Sequence, residues 1–306
     1  MHVPPCAPLQ PPHLVSALTT LTNQPPSPAP SALPTRVVSL CPGATDSLCE
    51  LGGAGLLVGR TTRCDHPAAT SVAPLPGAHE SVFADRLAAL RPDVLLADPA
   101  GAQAAAGIAP AIVVAPTTVE GILDSILTVG REVGLADQAA RTVVSLRERF
   151  FGASEFVNPY DDGPVTVFLE SVDPLVCSGD WIAQLVERAG ARHPLNPTVA
   201  HPRAGSGSGP QFAERVAGPA VSVPEAVLLA LDPQRLILCP RVGGLQQAHA
   251  MWESLSQRPW FVTLRAVRTG GIAVVDGGRT FHRQGPGIVE GFEWLVKWLH
   301  GLSPAA

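Results

Sequence analysis

The same order of strand, helix and turn signals occurs twice in this chain of 306 residues. RVVSL at 36–40 is a β-branched run followed by a helix ending in CELGG, and VTVFLE at 165–170 is followed by WIAQLVERAG. Later in each half come an apolar helix end, a proline and an aliphatic strand, first at 87–98 and then at 227–239. Three matching signals in one order indicate a duplicated α/β unit, and alternating strands and helices favour mostly parallel sheets.

A long helical stretch separates the two copies. Apolar residues recur at spacings of three or four between Ile122 and Leu146, which is typical of a helix with one buried face. Gly134 interrupts the pattern. The sequence therefore predicts an α/β protein with two similar lobes. Its parts are a leader at 1–35, an N-terminal lobe at 36–116, a linking helix at 117–155 and a C-terminal lobe at 156–306.

The leader differs in composition from the rest of the chain. Residues 1–35 contain ten prolines and no Lys, Arg, Asp or Glu. Proline at this density blocks helices and strand ladders, so the leader is predicted to be disordered or extended. A secretory signal needs a basic region before its apolar stretch, and no Lys or Arg precedes LVSALTTLT at 14–22. We therefore predict a cytoplasmic protein; a periplasmic, extracytoplasmic or organellar location is the alternative, if the leader is a targeting segment.

Composition excludes several kinds of partner. The formal net charge is -5 and charged residues make up 15% of the chain, so no basic face is available to neutralise nucleic acid. No apolar run approaches the ~20 residues that a membrane-spanning helix needs. The six cysteines are scattered without a CxxC pair, which removes the spacing typical of structural zinc or a redox dithiol.

Side chains with reactive or charged groups follow the predicted strands. In parallel α/β lobes, ligands bind at the carboxyl ends of the strands, where the loops emerge. If the lobes face each other, one cleft is lined by the loops at 41–46, 61–67 (TTRCDHP), 98–101, 171–181, 239–244 and 276–287 (DGGRTFHRQGPG). The predicted ligand-binding residues are Cys64, Asp65, His66, Asp180, Trp181, Arg241, Arg279, His282 and Arg283.

Several segments resemble one known family. RVVSLCPGATDSLCELGGAGLLVGRTTRCDHP is similar to the opening of vitamin B12- and iron-siderophore-binding proteins, the class III periplasmic binding proteins with a helical backbone. DPLVCSGDWIAQLVERAG and FHRQGPGIVEGFEWLVKWLHG resemble the second half of the branch labelled cobalamin-binding, and the resemblance covers about residues 36–301. It implies two Rossmann-like lobes joined by one long helix, with the ligand between them and little hinge motion.

The chain departs from the family at one position that concerns the ligand. The family loop reads C-D-(Y/W)-P, whereas His66 replaces the aromatic residue here, so a ring that would stack on a corrin face is missing. The resemblance also implies that one acid on each lobe docks a membrane permease in exported members. Glu50 and Glu187 occupy repeat-related positions; in the other interpretation they are solvated carboxylates at helix ends.

The cleft loops allow an enzymatic and a metal-binding interpretation. Cys64 and His66 could form an activated thiol, since a neighbouring imidazole lowers a thiol pKa. However, the chain lacks GxSxG, HExxH, P-loop and strand-linked GxGxxG motifs, so we predict that it is not an enzyme. Zinc or iron would suit a set of thiol, carboxylate and imidazole ligands, although the spacing is not diagnostic for Cys64, Asp65, His66, Cys239 and His282.

The third interpretation is a pocket for a large ligand that is partly apolar and partly anionic. Trp181 would offer a flat face, and the arginines 241, 279 and 283 would pair with carboxylates or phosphate. His66 or His282 would ligate the metal of a bound macrocycle. Alternatively, Trp181 covers the start of a helix and Arg279 solvates a hairpin.

The sequence therefore predicts a non-enzymatic solute-binding protein that holds a corrinoid (cobalamin-like) or related metal chelate in the interlobe cleft. No covalently bound cofactor and no metal bound by the protein alone are implied. One alternative is an exported substrate-binding subunit of an ABC importer for B12 or an iron-siderophore, with a permease as partner. The second is a metal-handling or enzymatic protein on the same fold.

Overall fold

A computed structural model describes residues 33–75, 84–158, 163–201 and 215–302. The prediction for the leader therefore lies almost entirely outside the described residues. Residues 34–306 belong to one compact unit. No helix within the described ranges is long and apolar enough to cross a membrane.

The first lobe contains a four-stranded parallel sheet. Its strands are β1 (Val37–Ser39), β2 (Leu57–Arg60), β3 (Val94–Ala97) and β4 (Ala111–Val113), and they lie in the order β2-β1-β3-β4. Its helices are α1 (Pro42–Glu50), α2 (Ala84–Ala89) and α3 (Pro99–Ala104), with 3-10 turns at Gly53–Leu56 and Pro67–Ala69. The central strands β1 and β3 are fully buried, as expected of a parallel sheet covered on both faces.

Two helices connect the lobes, namely α4 (Val119–Glu132) and α5 (Ala136–Ser154). The linking segment is helical as predicted, but it is divided at Gly134. The φ angle of Gly134 is +78°, a left-handed conformation that only glycine adopts readily. The chain reverses there, so α4 packs against α5 and the second, longer helix carries the connection into the second lobe.

The second lobe is built on a five-stranded mixed sheet. Its strands and a separate two-stranded ribbon are β5 (Thr166–Val172), β6 (Leu175–Cys177), β7 (Val199–Ala200), β8 (Arg215–Val216), β9 (Val221–Ser222), β10 (Arg235–Leu238) and β11 (Ile272–Val274). The sheet order is β11-β10-β5-β6-β9, and β7 pairs with β8. The helices are α6 (Asp180–Arg188), α7 (Glu225–Leu231), α8 (Gly244–Ser256), α9 (Arg265–Arg268) and α10 (Ile288–Leu299), with a 3-10 turn at Phe261–Thr263.

The sheets reproduce the predicted duplication. β1 lies parallel to β3 in the first lobe, and β5 lies parallel to β10 in the second. The copies differ after the first strand, because β6 turns back against β5 in an antiparallel hairpin before α6 begins. The fold class of α/β with mostly parallel sheets is confirmed.

The helical connection packs on both lobes. Leu51 of the first lobe belongs to the same apolar cluster as α4, α5, α6, α10 and one face of the second sheet. Phe150 of α5 stacks on Phe292 of α10 with ring centroids 3.8 Å apart, and Arg149 beside it donates two hydrogen bonds to Glu293. A continuous core across the connection restricts hinge motion between the lobes.

Candidate ligand-binding cleft

The lobes meet through the loop that follows β11. Arg283 of that loop reaches the first lobe, where its Nη2 lies 2.6 Å from Asp65 Oδ1 and its Nη1 lies 3.3 Å from both carboxylate oxygens of Asp46. The next residue, Gln284, donates from Nε2 to the Pro116 carbonyl at 3.0 Å. The loop after β11 therefore contacts helix α1, which follows β1, and the loops after β2 and β4, and the carboxyl edges of the two sheets face each other.

Two arginines of the second lobe and three carboxylates of the first form a group that we call the interlobe clasp. Besides the contacts of Arg283, Arg279 lies 3.8 Å from Asp46 and 3.9 Å from Glu50. Asp46 is buried in α1, and burial raises the pKa of its carboxyl group while Arg283 opposes this shift. The clasp thus consists of Asp46, Glu50, Asp65, Arg279 and Arg283.

Three residues of the clasp were expected to contact the ligand. Asp65, Arg279 and Arg283 pair across the lobes, and their contact with a ligand stays a prediction. The physical reason for the pairing is the buried carboxylate of Asp46, whose side chain is only 4% exposed. A buried charge is tolerated when it is paired and hydrogen-bonded, and the guanidinium of Arg283 supplies both.

Beside the clasp, the backbone of Gly43 in α1 and the backbone of Gln284 in the loop after β11 approach each other very closely. A Cβ atom on Gly43 would lie 2.6 Å from the carbonyl oxygen of Gln284, and both partners are backbone. Only glycine leaves room for this contact. The N-terminal turn of α1 and the loop after β11 therefore pack without an intervening side chain.

Gly43→Ala is expected to lower the free energy of unfolding by about 1–3 kcal/mol, because the added methyl group overpacks the junction between the lobes. Urea unfolding followed by circular dichroism measures this. Gly55→Ala is the matched control, since a Cβ atom there meets nothing within 4 Å. Equal stability of the two variants would show that the loop after β11 does not pack on α1.

The TTRCDHP loop is a structural element held by its own side chains. The Cys64 side chain is fully buried, and its Sγ lies 3.2 Å from Thr61 Oγ1 and 3.6 Å from the Ser39 carbonyl oxygen. The guanidinium of Arg60 donates to four carbonyl groups of the following turn, those of residues 61, 64, 69 and 72. Cys64 therefore fixes the loop against β1, and its contact with a ligand stays a prediction that this burial does not favour.

His66 closes the same loop. Its Nδ1 accepts a hydrogen bond from the Ala68 backbone at 3.1 Å and caps the turn at Pro67–Ala69, while its Nε2 lies 3.5 Å from Glu50. Both ring nitrogens are thus engaged within the chain. Because Cys64 and His66 contact different groups, they do not form the thiol–imidazole pair of the enzymatic interpretation.

Trp181 belongs to the core. Its side chain packs in the cluster around Phe281 and Ile288, and only 6% of the residue is exposed. Its indole Nε1 donates to the Phe281 carbonyl at 2.7 Å. The apolar side of α6 carries the Trp181 ring inward, so the flat face expected for a ligand stays a prediction that this arrangement does not favour. Asp180 beside it is partly exposed, with a φ of +47°, and burial raises its pKa.

A polar group at the carboxyl edge of the second sheet surrounds Glu170, which the sequence-based prediction missed. Arg241, with 56% of its side chain exposed, pairs through Nε with Glu170 Oε2. The Glu170 side chain is only 3% exposed, and its Oε1 has no hydrogen-bond partner among the residues that the structure describes. The available sequence signal was an acid at the end of the apolar strand VTVFLE.

His282 and Cys239 lie next to this carboxylate. The His282 Nε2 donates to the Cys239 carbonyl at 2.8 Å and lies 3.5 Å from its Sγ. Burial lowers the pKa of His282 and raises that of Cys239, so the imidazole and the thiol are both neutral near pH 7. As in His66, Nε2 carries the proton of a hydrogen bond, and axial metal ligation through this atom would require that bond to break.

The candidate metal ligands do not come together in one site among the described residues. Within the described ranges, no group of three or more His, Cys, Asp or Glu side chains could hold a metal ion. The candidate ligands are divided between the interior of the first lobe, the clasp and the edge of the second sheet.

The two acids proposed to dock a permease both have partners inside the chain. Glu50 has 49% of its side chain exposed and is shared between His66 and Arg279. Glu187 is 21% exposed and accepts hydrogen bonds from the backbone and the hydroxyl of Thr198, with Arg215 at 3.9 Å. The docking role of both acids stays a prediction.

Two parallel α/β lobes with facing carboxyl edges and a packed helical connection define a two-lobed solute-binding protein. The sequence model of the periplasmic binding protein family matches residues 37–215, more than half of the chain. The chain therefore belongs to that family, as the resemblance of its motifs indicated. Among curated protein sequences none matches.

Solved structures show the same fold. A periplasmic heme-binding protein from Pseudomonas aeruginosa has a TM-score of 0.69 at 21% identity, covering 89% of this chain and 95% of its own. The periplasmic vitamin B12-binding protein of Vibrio cholerae gives 0.66 at 18% identity, covering 88% and 98%. A possible iron-binding protein from Staphylococcus epidermidis gives 0.67 at 19% identity, covering 87% and 98%.

Family membership bears on two of the predictions. The family consists of binding proteins rather than enzymes, so the prediction that the chain is not an enzyme is confirmed. The predicted cytoplasmic location is not supported, because family members are periplasmic or extracytoplasmic, which favours the alternative location.

Proposed function

We propose that this chain is the extracytoplasmic substrate-binding subunit of an ABC importer and that it carries a metal chelate between its two lobes. The facing carboxyl ends of the parallel strands in the two sheets carry this proposal, since ligands of α/β folds bind at the carboxyl ends of such strands. Solved structures with this fold include proteins described as binding heme and vitamin B12. Among metal chelates, a corrinoid remains the ligand that we favour.

The geometry supports delivery rather than chemistry. The cysteines that the structure describes are buried. Burial raises the pKa of Cys41 to about 11, so its thiol stays protonated near pH 7 and is a poor nucleophile. The packed connection keeps the lobes in one arrangement, and the clasp joins them on one side of the cleft. Release of the ligand would then require a partner that separates the lobes, which is the part that a permease plays in this proposal.

Titration of the full-length protein with cyanocobalamin, haemin and ferrioxamine B tests the proposal. Calorimetry and visible absorbance should give 1:1 binding of at least one chelate with a dissociation constant of about 1 μM or below. Absence of binding for all three at about 100 μM would contradict it. Fractionation of cells that express the full chain tests the location, and recovery only with the cytoplasmic fraction would contradict the importer role.

A further inference from the structure

We infer that Glu170 determines ligand specificity in the cleft, and that it selects chelates whose periphery carries N–H or O–H donors over chelates that carry carboxylates. This inference rests on the proposed function, because it assumes that a chelate occupies the cleft. It assigns a residue and a ligand chemistry that the fold alone does not assign.

A β-bulge places the Glu170 side chain. The register between β5 and β6 shifts between Leu169 and Ser171, so Glu170 is the extra residue of the bulge. A bulge leaves one residue outside the regular ladder and changes the direction of its side chain. The apolar run of β5 thus ends in a carboxylate at the carboxyl edge of the second sheet.

One oxygen of this carboxylate is satisfied and the other is not. Oε2 accepts from Arg241, whereas Oε1 is buried and finds no donor within the part of the chain that the structure describes. Burying an unpaired oxygen of a charged group is unfavourable, since it gives up its hydrogen bonds to water without replacement. A donor supplied by the ligand would remove this penalty, so the site is prepared for N–H or O–H groups.

Among the described residues near this end of the second sheet, two ring N–H donors are already used. His282 Nε2 donates to the Cys239 carbonyl, and Trp181 Nε1 donates to the Phe281 carbonyl. The position is nevertheless close to the surface, because the Arg241 side chain, which pairs with Oε2, is more than half exposed. A ligand group that enters beside Arg241 would therefore come close to the Glu170 carboxylate.

The charges of the cleft disfavour a carboxylate at the same place. The three arginines that were expected to bind anions, Arg241, Arg279 and Arg283, each pair with a carboxylate of the chain. The loops at 41–50, 61–67, 98–101, 239–244 and 276–287, together with Glu170 and Asp180, carry more carboxylates than arginines. An anionic ligand would approach an excess of negative charge and would have to displace an internal ion pair.

The candidate ligands differ in whether their periphery carries hydrogen-bond donors or carboxylates. A corrinoid carries several amide groups around its ring, and ferrioxamine B carries amides and an ammonium group, so both present donors. Haem presents two carboxylates, which are acceptors only. Val242 and Leu245, which are 63% and 47% exposed after Arg241, offer an apolar rim to the ring of a macrocycle.

The test compares the full-length wild type with Glu170→Gln, using cyanocobalamin, ferrioxamine B and haemin as probes in calorimetric titrations. Wild type should bind at least one of the first two more tightly than haemin. Glu170→Gln should weaken that probe about tenfold, because a neutral amide oxygen is a weaker acceptor than a carboxylate. The affinity for haemin should rise, since the substitution frees Arg241 to pair with a carboxylate. Glu132→Gln, which changes an exposed carboxylate on α4, is the matched control and should change neither affinity.

The ratio of the two affinities within one variant is the decisive quantity, because a loss of folded protein reduces both titrations equally. An unchanged ratio in Glu170→Gln would overturn the inference, as would a wild type that prefers haemin, and in both cases the proposed function would stand. Failure of the wild type to bind any of the three probes would instead overturn the proposed function and the inference with it.

Discussion

Arg283→Met is expected to lower the free energy of unfolding by about 3–5 kcal/mol at pH 7, the range seen when one partner of a buried ion pair is removed. Only 14% of the Arg283 side chain is exposed, and it joins Asp46 and Asp65 of the first lobe to the loop after β11. Without it, the one ion-pair partner left to the buried carboxylate of Asp46 among the described residues is the more distant Arg279, at 3.8 Å. Urea unfolding by circular dichroism gives the value.

The loss should depend on pH in a direction that the position of Asp46 fixes. Burial raises the pKa of Asp46 in the folded state, and Arg283 lowers it, so removing Arg283 raises this pKa further. A raised folded pKa means stability that is present below the unfolded pKa of about 3.9 and lost as pH rises through the folded value. The deficit of Arg283→Met relative to wild type should therefore shrink as pH falls from 7 toward about 4.

Two further variants separate the clasp from a general effect of losing an arginine. Arg131→Met removes a cation whose side chain is 66% exposed and whose partner is the adjacent Glu132, and it should change stability little. The double variant Asp46→Asn/Arg283→Met should recover part of the loss, because it removes the uncompensated charge. If Arg283→Met costs no more than Arg131→Met, the clasp does not stabilise the lobes.

The clasp also shows where sequence-based prediction stops. Apolar runs, prolines and repeated order were enough to indicate the parallel strands of both sheets and the loops at their carboxyl edges, but they did not indicate the antiparallel strands β6 and β9. They could not indicate that Arg283 pairs with Asp46, which lies 237 residues earlier in the chain. Charged residues in converging loops bind whichever opposite charge is nearest in space, and this depends on distances that spacing does not contain.

The burial of a side chain is easier to predict from the sequence than its ion-pair partner. In α6, Trp181 and Leu185 are four residues apart and share the apolar face, a helical spacing typical of a core position that the sequence-based prediction did not use for the indole. Glu170 was the opposite case. Its place in an apolar strand was visible, but the bulge that changes the direction of its side chain depends on the pairing of β5 with β6, which no local pattern specifies.

Phe292→Ala is expected to cost about 3–5 kcal/mol of unfolding free energy, because it removes a fully buried ring and leaves a cavity. Phe292 has no exposed surface, and its ring stacks on Phe150 at an interplanar angle of 6°. It therefore joins α10 of the second lobe to α5 of the helical connection. Denaturant unfolding of the full chain measures the loss.

The neighbouring residue of Phe150 supplies the control. Phe151 lies on the same helix but is 72% exposed, so Phe151→Ala should stay within about 0.5 kcal/mol of wild type. Phe292→Leu should fall between the two, since it keeps most of the apolar volume. Equal costs for Phe292→Ala and Phe151→Ala would mean that α10 is not fixed to the helical connection, and the restricted hinge motion inferred from the shared core would then lose its physical basis.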